Sequence, residues 1–193
     1  VGIIGAGFMG RGVANQIVNS VPGMELVAIA NRTLANAARA WGDAAADTVV
    51  SVVLSGPLGS GRTRLLAALG DIVERTGGRV LRATSAEGER SLFLHPILSM
   101  ISTIILSTAP DLIPDLLGPR LGTAAELVPE LREVCTVGPY QRAVADLEHR
   151  RALQTVARVI STTAARQPVL MVLDDLHHAG SSTVDALLWL IRE

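Results

Sequence analysis

Two short segments carry the residue types that bind phosphate and a divalent cation. The first, Gly56 to Thr63, reads Gly-Pro-Leu-Gly-Ser-Gly-Arg-Thr and precedes an apolar helical pattern. Glycines allow successive backbone N–H groups to surround an anion at a helix N-terminus, and a threonine hydroxyl can ligate Mg²⁺. The second segment is Asp174 and Asp175, which follow the apolar run Val169–Leu173. Together the two segments predict a phosphate site that holds a magnesium ion.

This spacing is that of a P-loop, or Walker A motif, with a Walker B strand further along the chain. Mg²⁺ is predicted to lie between Thr63 and Asp174, and Asp175 is the predicted catalytic acid that orients or deprotonates the attacking water. The predicted phosphate-binding residues are Gly56, Gly59, Ser60, Gly61, Arg62, Thr63 and Arg64. A simpler interpretation remains for each part, since glycines also make turns and Asp pairs also cap helices.

Arg62 stands at the position where the P-loop pattern has lysine, and it is the second predicted catalytic residue. Its guanidinium keeps the positive charge but is longer and planar, so it is a poor substitute for a compact ammonium. All 17 basic residues of the chain are arginine, which means that no lysine of its own can complete the site. The sequence therefore predicts nucleotide binding with weak or absent hydrolysis, and activity as an ATPase is expected only if the site is active; the motif leaves open whether adenine is preferred over guanine.

A different glycine pattern, GxGxxG, lies at the start of the chain. A strand precedes it and a helical pattern follows, which is the setting of a dinucleotide-binding turn in a Rossmann-like βαβ unit. Arg32 follows the next predicted strand where an acid would bind a ribose 2′-hydroxyl, so NADP is favoured over NAD. The predicted contacts are Gly5, Gly7, Phe8, Met9, Gly10, Asn31 and Arg32. The alternative is a tight turn at Gly5 that binds no ligand.

Short apolar runs that alternate with helical patterns predict an α/β fold, a parallel sheet flanked by helices on both sides. The predicted strands are Val1–Ile4, Glu25–Ala30, Val49–Leu54, Arg79–Ala83 and Val169–Leu173, with helices starting near Gly10 and Leu34 and after Gly61. The interval 85–166 is predicted to contain no strand but several short helices joined by turns, with its firmest helix over Tyr140–Ala165. Val49–Leu54 is expected to pair with the first strand, with Val169–Leu173, or with both.

Composition limits the class of protein. A net charge of −1 with 18% charged and 49% hydrophobic residues predicts a globular chain without a basic nucleic-acid face. A lone Cys135 excludes an internal disulfide framework, and the apolar stretches are too short to span a bilayer, so a cytoplasmic location and no membrane partner are expected.

The predicted domains are an incomplete dinucleotide-binding unit, residues 1–46, and a P-loop ATPase-like domain, residues 49–193, truncated at its C-terminus.

Residues 49–193 resemble the ATPase domain of large LuxR-type bacterial regulators, within the STAND and AAA-type P-loop ATPases. The residues that carry the resemblance are Gly56–Leu66, Gly77–Arg82, Glu87–Ser91, Val172–His177 and Ser181–Ser182. Residues 1–46 resemble the NAD(P)-binding βαβ unit of homoserine-dehydrogenase-like oxidoreductases, through the runs 1–12 and 27–33. The departures His178 and Gly180, where the LuxR-type family usually has tryptophan and aspartate, bear on hydrolysis more than on binding.

The leading hypothesis is an ATP-binding module of a bacterial signalling or transcriptional regulator. The resemblance implies Mg-ATP as ligand, self-association as a further expectation, and DNA contact only through regions absent from this chain. The alternatives are an NADP-binding oxidoreductase fragment, for which no hydride-transfer acid or base is visible and dehydrogenase activity is not expected, and an incomplete fusion with neither activity. His177 and His178 are expected to point apart and not to share a metal ion.

Overall fold

A computed structural model describes the backbone of residues 2–6, 50–54 and 61–192, and the surroundings of the side chains from 61 to 190. These residues fall into two compact units. The first, here the sheet unit, comprises Val1–Pro96 and Gln167–Glu193, and the second, the helical unit, is Ile97–Arg166. The predicted strand Glu25–Ala30, the helices expected near Gly10 and Leu34, and the predicted boundary at 46–49 lie outside the described residues.

Within the described residues, the sheet has four parallel strands in the order β2–β1–β4–β3. The strands are β1 (Gly2–Ala6), β2 (Val50–Leu54), β3 (Arg79–Thr84) and β4 (Val169–Asp174). The strand before the P-loop therefore pairs with β1, and β1 lies between it and the Walker B strand. The expected parallel α/β sheet is confirmed for the described residues, and the strand that carries Gly5 lies next to the strand that precedes the P-loop.

β1 is longer than predicted. It was expected to end at Ile4, with Gly5 in a tight turn, yet Gly5 lies in the strand opposite Val53 and Leu173. Neighbouring strands on both sides offer hydrogen-bond partners to this backbone, which favours extended structure over a turn. Every residue of β4 is buried, so both faces of that strand are covered, as expected for a parallel sheet.

The predicted helix after Gly61 is confirmed as α1 (Arg62–Arg75), which packs against β3 and β4. Its apolar face is buried through Leu66, Leu69 and Val73. The helix ends because Gly77 adopts a left-handed φ of 81° and the Gly78 N–H bonds back to the Val73 carbonyl at 2.9 Å. After β3 and a 3₁₀ turn over Glu87–Glu89 comes α2 (His95–Leu106), and α7 (Ser181–Arg192) follows β4.

The interval 85–166 contains no strand, as predicted, and all of it is described. Its helical elements after α2 are short except for the last: α3 (Ile113–Leu117), α4 (Leu121–Leu127), α5 (Leu131–Val134) and α6 (Ala145–Ala164), with 3₁₀ turns at Pro110–Leu112 and Gly118–Arg120. Helix α6 packs against α3 and α4. The core of this unit consists of fully buried apolar residues, among them Ile104, Ile105, Ile113, Leu117, Leu131, Val156 and Val159.

The long helix begins at Ala145 and not at Tyr140 as predicted. Residues 140–144 instead fold over its first turns. The Tyr140 hydroxyl donates to Glu148 Oε2 at 2.5 Å, and the Ala143 N–H donates to Glu148 Oε1 at 2.7 Å. Arg151 Nη1 adds a third contact to the same carboxylate at 3.0 Å. We call this cluster of Tyr140, Glu148 and Arg151 the α6 staple. It gives the Ala143 N–H a hydrogen-bond partner, so this backbone group does not need an added helical turn to be satisfied.

Candidate functional site

The candidate site forms where α1 begins and β4 ends. Thr63 lies in the first turn of α1, and Asp174 is the last residue of β4. Although 111 residues separate them in sequence, the Thr63 Oγ1 hydroxyl donates to Asp174 Oδ2 at 2.7 Å. The fold thus brings together the two residues that the sequence predicted as magnesium ligands.

Asp174 is a buried acid, with only 8% of its surface exposed. Its Oδ1 accepts the Asp175 N–H at 2.9 Å while its Oδ2 accepts the Thr63 hydroxyl. Both oxygens are therefore oriented by short contacts, as a buried carboxylate requires. Of the two residues, Thr63 is the one that is exposed to solvent.

A hydroxyl and a carboxylate oxygen 2.7 Å apart are a donor set that suits Mg²⁺. Magnesium prefers hard oxygen ligands and usually takes only one or two carboxylates, with phosphates and water completing its shell. Within the described ranges no group of three or more His, Cys, Asp or Glu residues could hold a metal by itself. The Thr63 and Asp174 oxygens therefore fit a magnesium ion that is bound together with phosphate.

The end of the P-loop is described from Gly61 onwards. Gly61 has a left-handed φ of 80° and precedes α1, with its carbonyl accepting the Leu65 N–H at 2.9 Å. A side chain at this position would be strained by the backbone angle alone. Arg62 opens the helix and is half-buried, while Arg64 is exposed. Gly56, Gly59 and Ser60 lie outside the described residues, and their phosphate contacts stay predictions.

Asp175 directly follows the buried Asp174 but differs from it in exposure and backbone. Its side chain is 42% exposed, and its φ of 50° is left-handed, which is unusual for a residue other than glycine. Its carboxylate lies 3.9 Å from His177 Nδ1, and a 3₁₀ turn, Leu176–His178, follows it. The two neighbouring acids thus differ in burial, and the catalytic role of Asp175 stays a prediction.

The expectation that His177 and His178 point apart is wrong. Their ring centroids lie 3.9 Å apart with the planes tilted by 43°. The tight 3₁₀ turn brings consecutive side chains closer than an extended backbone would. The two rings contact each other beside Asp175.

Two further residues adjoin the site, and chemistry-based reasoning from the sequence did not select them. Ser85 follows β3, and its N–H donates to the Asp174 carbonyl at 3.1 Å. Its hydroxyl is buried and has no hydrogen-bond partner among the described residues. Arg90 reaches the turn after β4, where its Nη2 donates to the His177 carbonyl at 2.7 Å. The sequence signal that could have found Ser85 is its position, since it is a polar residue directly after a predicted strand.

The first glycine pattern contributes a strand to the same sheet. β1 ends at Ala6, opposite Leu54 at the end of β2, so the two glycine patterns follow neighbouring parallel strands. The other predicted NADP contacts, namely Gly7, Phe8, Met9, Gly10, Asn31 and Arg32, lie outside the described residues.

A parallel sheet, a helix that starts at a glycine, and a hydroxyl bonded to the acid that ends a buried strand define a P-loop α/β protein of the ATPase class. The family model of the AAA ATPase domain matches residues 31–193. The chain belongs to this family, which supports nucleotide binding by a P-loop module and, typically, Mg²⁺ as the accompanying ion. No curated protein and no solved structure matches the chain.

No single helix in the part of the chain that the structure describes is long and apolar enough to cross a membrane. The helical segments His95–Leu106 and Pro110–Leu127 together have enough length and apolar composition, but they are bent by 114° at the break between them.

Proposed function

We propose that this chain is the Mg-ATP-binding module of a bacterial signalling or transcriptional regulator, with weak or absent ATP hydrolysis. The observation that carries the proposal is the 2.7 Å hydrogen bond between Thr63 and Asp174. It supports a magnesium site because both residues were predicted from separate motifs. The regulator role rests on the sequence resemblance to LuxR-type ATPase domains.

In this proposal, the backbone before α1 binds the phosphates and Thr63 and Asp174 hold the ion through their oxygens. When bound, Mg²⁺ would neutralise phosphate charge. Arg62 would add positive charge beside the phosphates, and the exposed carboxylate of Asp175 would accept a hydrogen bond from the attacking water. The hydrogen bond from Asp175 N–H keeps the Asp174 carboxylate turned toward Thr63.

Slow hydrolysis follows from the residue at position 62. A planar guanidinium distributes its charge over a fork, whereas the P-loop pattern has a compact ammonium near the terminal phosphates. Nucleotide binding requires only a net attraction between the site and the phosphates. Faster hydrolysis requires a positive charge placed where negative charge develops in the transition state. We therefore place nucleotide binding first and regard the chain as a switch that responds to nucleotide state.

A titration of the whole chain with ATP, with and without Mg²⁺, tests the proposal. We expect saturable binding that depends on Mg²⁺, and Asp174→Ala should weaken it by more than about 100-fold, since even neighbours of metal ligands cost 10–100-fold when mutated. Asp174→Asn keeps the size of the side chain and its capacity to accept the Thr63 hydroxyl, so it separates loss of charge from loss of packing.

The matched control is Asp185→Ala, which removes an exposed acid of the same unit from α7. It should bind Mg-ATP as the parent chain does. Absence of ATP binding by the folded parent chain, or equal affinity in the parent and Asp174→Ala, would contradict the proposed function.

A further inference from the structure

The segment after β3 and the segment after β4 meet in two places at Arg90, through one hydrogen bond and one close approach of the backbones. Arg90 Nη2 donates to the His177 carbonyl at 2.7 Å. In the opposite direction, Gly180 approaches the Arg90 carbonyl so closely that a Cβ atom at Gly180 would lie 2.2 Å from that oxygen. We call this pair of contacts the Arg90 clasp. It joins residues that are about 90 positions apart, since Arg90 and His177 differ by 87.

The clasp is anchored on the side of Arg90. The residues before it form the 3₁₀ turn Glu87–Glu89, and Glu89 Oε2 lies 3.2 Å from His95 Nδ1 at the start of α2. Further back, the Ser85 N–H bonds to the carbonyl of Asp174. The Arg90 segment is therefore hydrogen-bonded to the end of β4, which gives it a support within the sheet unit.

The segment that the clasp holds begins with Asp175. Its left-handed φ of 50° is unfavourable for a residue with a side chain, and such a conformation persists only where the surroundings hold it. The local bonds are the His178 N–H to the Asp175 carbonyl at 2.9 Å and the Ala179 N–H to the Leu176 carbonyl at 3.1 Å. The contacts with Arg90 connect this small turn to another part of the sheet unit.

We propose that Arg90 is a positioning residue that fixes the turn 176–180 and, through it, the backbone and carboxylate of Asp175. The inference rests on the proposed function for the role of Asp175, but the positioning itself requires no ligand. Asp174 is held separately, by Thr63 and by β4, so the clasp acts on the exposed acid and leaves the magnesium ligands in place.

Amide hydrogen exchange of the nucleotide-free whole chain tests the positioning. Arg90→Ala should raise exchange in peptides covering 175–180 by about fivefold, the effect of one lost hydrogen bond with a charged donor at an exposed site. Peptides from α1 and from the helical unit should not change. Arg90→Lys keeps one donor and should restore part of the protection, which a general loss of packing would not allow.

Gly180→Ala disrupts the second contact of the clasp, between Gly180 and the Arg90 carbonyl, and leaves the Arg90 guanidinium intact. The added Cβ would collide with backbone, so we expect the same local rise in exchange around 175–180. Gly88→Ala is the matched control in the neighbouring 3₁₀ turn, because a Cβ there meets no atom within 4 Å. It should exchange as the parent chain does.

Unchanged exchange at 175–180 in both Arg90→Ala and Gly180→Ala would overturn the proposal, and so would a rise that spreads equally over the sheet unit. Mg-ATP titration provides the second measurement. Arg90→Ala should keep its Kd within about threefold of the parent, because Thr63 and Asp174 are untouched; a loss as large as in Asp174→Ala would contradict action through Asp175. If the parent chain binds no ATP, the proposed function fails while the exchange data still decide the clasp.

Discussion

The sheet unit and the helical unit each contain a cluster of polar side chains, and the clusters differ in reach. In the sheet unit, Thr63 and Asp174 meet across 111 residues, and the side chain of the neighbouring Asp175 is 42% exposed. In the helical unit, the α6 staple joins residues within 11 positions, and its carboxylate receives three donors. The first cluster leaves its outer acid accessible to a ligand, whereas the second uses its acid to secure a helix end.

The same chemistry therefore serves two purposes according to its place in the fold. A carboxylate surrounded by donors of its own unit is satisfied and stabilises local structure. A hydroxyl and a carboxylate that meet at the carboxyl edge of a parallel sheet lie where ligands of α/β proteins bind. The difference predicts that mutations in the two units separate stability from nucleotide binding.

The largest expected effects come from matched cavities in the two cores. Leu69→Ala in α1 and Leu131→Ala in α5 each remove a side chain that is at most 1% exposed, and each should cost about 2–5 kcal/mol of unfolding free energy. Urea unfolding at low temperature measures this loss. If both variants remain folded, only Leu69→Ala should weaken Mg-ATP binding, by about tenfold, because α1 carries Thr63. Equal weakening by both variants would break the proposed separation between the units.

An intermediate effect is expected at the P-loop residue that departs from the pattern. Arg62→Lys restores a compact ammonium, and we expect ATP turnover to rise by at least about tenfold while Kd changes little. Phosphate release at saturating Mg-ATP measures the change. Arg75→Lys, an exposed residue in the last turn of the same helix, is the control and should not alter turnover. A fall in turnover in Arg62→Lys would mean that the guanidinium itself is the effective group.

The smallest effect is a pH dependence confined to the helical unit. Hydrogen bonds from the Tyr140 hydroxyl and the Ala143 N–H, together with Arg151, lower the pKa of Glu148 below its ordinary value of 4.5. A carboxyl with a lowered pKa stabilises the fold above pH 4.5, and this contribution is lost as the pH falls through the lowered value. Glu148→Gln should therefore lower the Tm at pH 7, and the difference should shrink in acid. Glu133→Gln, an exposed acid of the same unit, should show no such trend.

Much of the fold could be read from local patterns. Of the four strands that the structure describes, β2, β3 and β4 were predicted to within one residue at each end, because short apolar runs with glycine or aspartate near one end are distinctive. The start of α6 was wrong by five residues, since the contacts of Tyr140 and Ala143 with Glu148 compete with an added helical turn. The end of β1 was wrong because glycine favours a turn locally, while pairing on both sides of the strand favours extension.

The candidate site was predicted in part. Thr63 and Asp174 were named as a pair from their motifs, and the hydrogen bond between them confirms that they meet. Arg90 and Ser85 were not selected for a role at the site. The Ser85 contact is made by its N–H, which does not depend on the side chain. The Arg90 guanidinium meets a backbone carbonyl, so no particular residue type in the partner segment marks the contact in the sequence.

The sequence by itself determined the chemistry: a glycine loop before a helix, a hydroxyl, two aspartates after an apolar strand, and arginine in every basic position. These depend on residue type and near-neighbour spacing, which are fully written in the chain. Tertiary structure decided the strand order β2–β1–β4–β3, the left-handed backbone at Asp175 and the contact between Arg90 and the turn 176–180. Those features arise from packing and hydrogen bonding between segments far apart in sequence, and local patterns carry no record of which distant segment will be the neighbour.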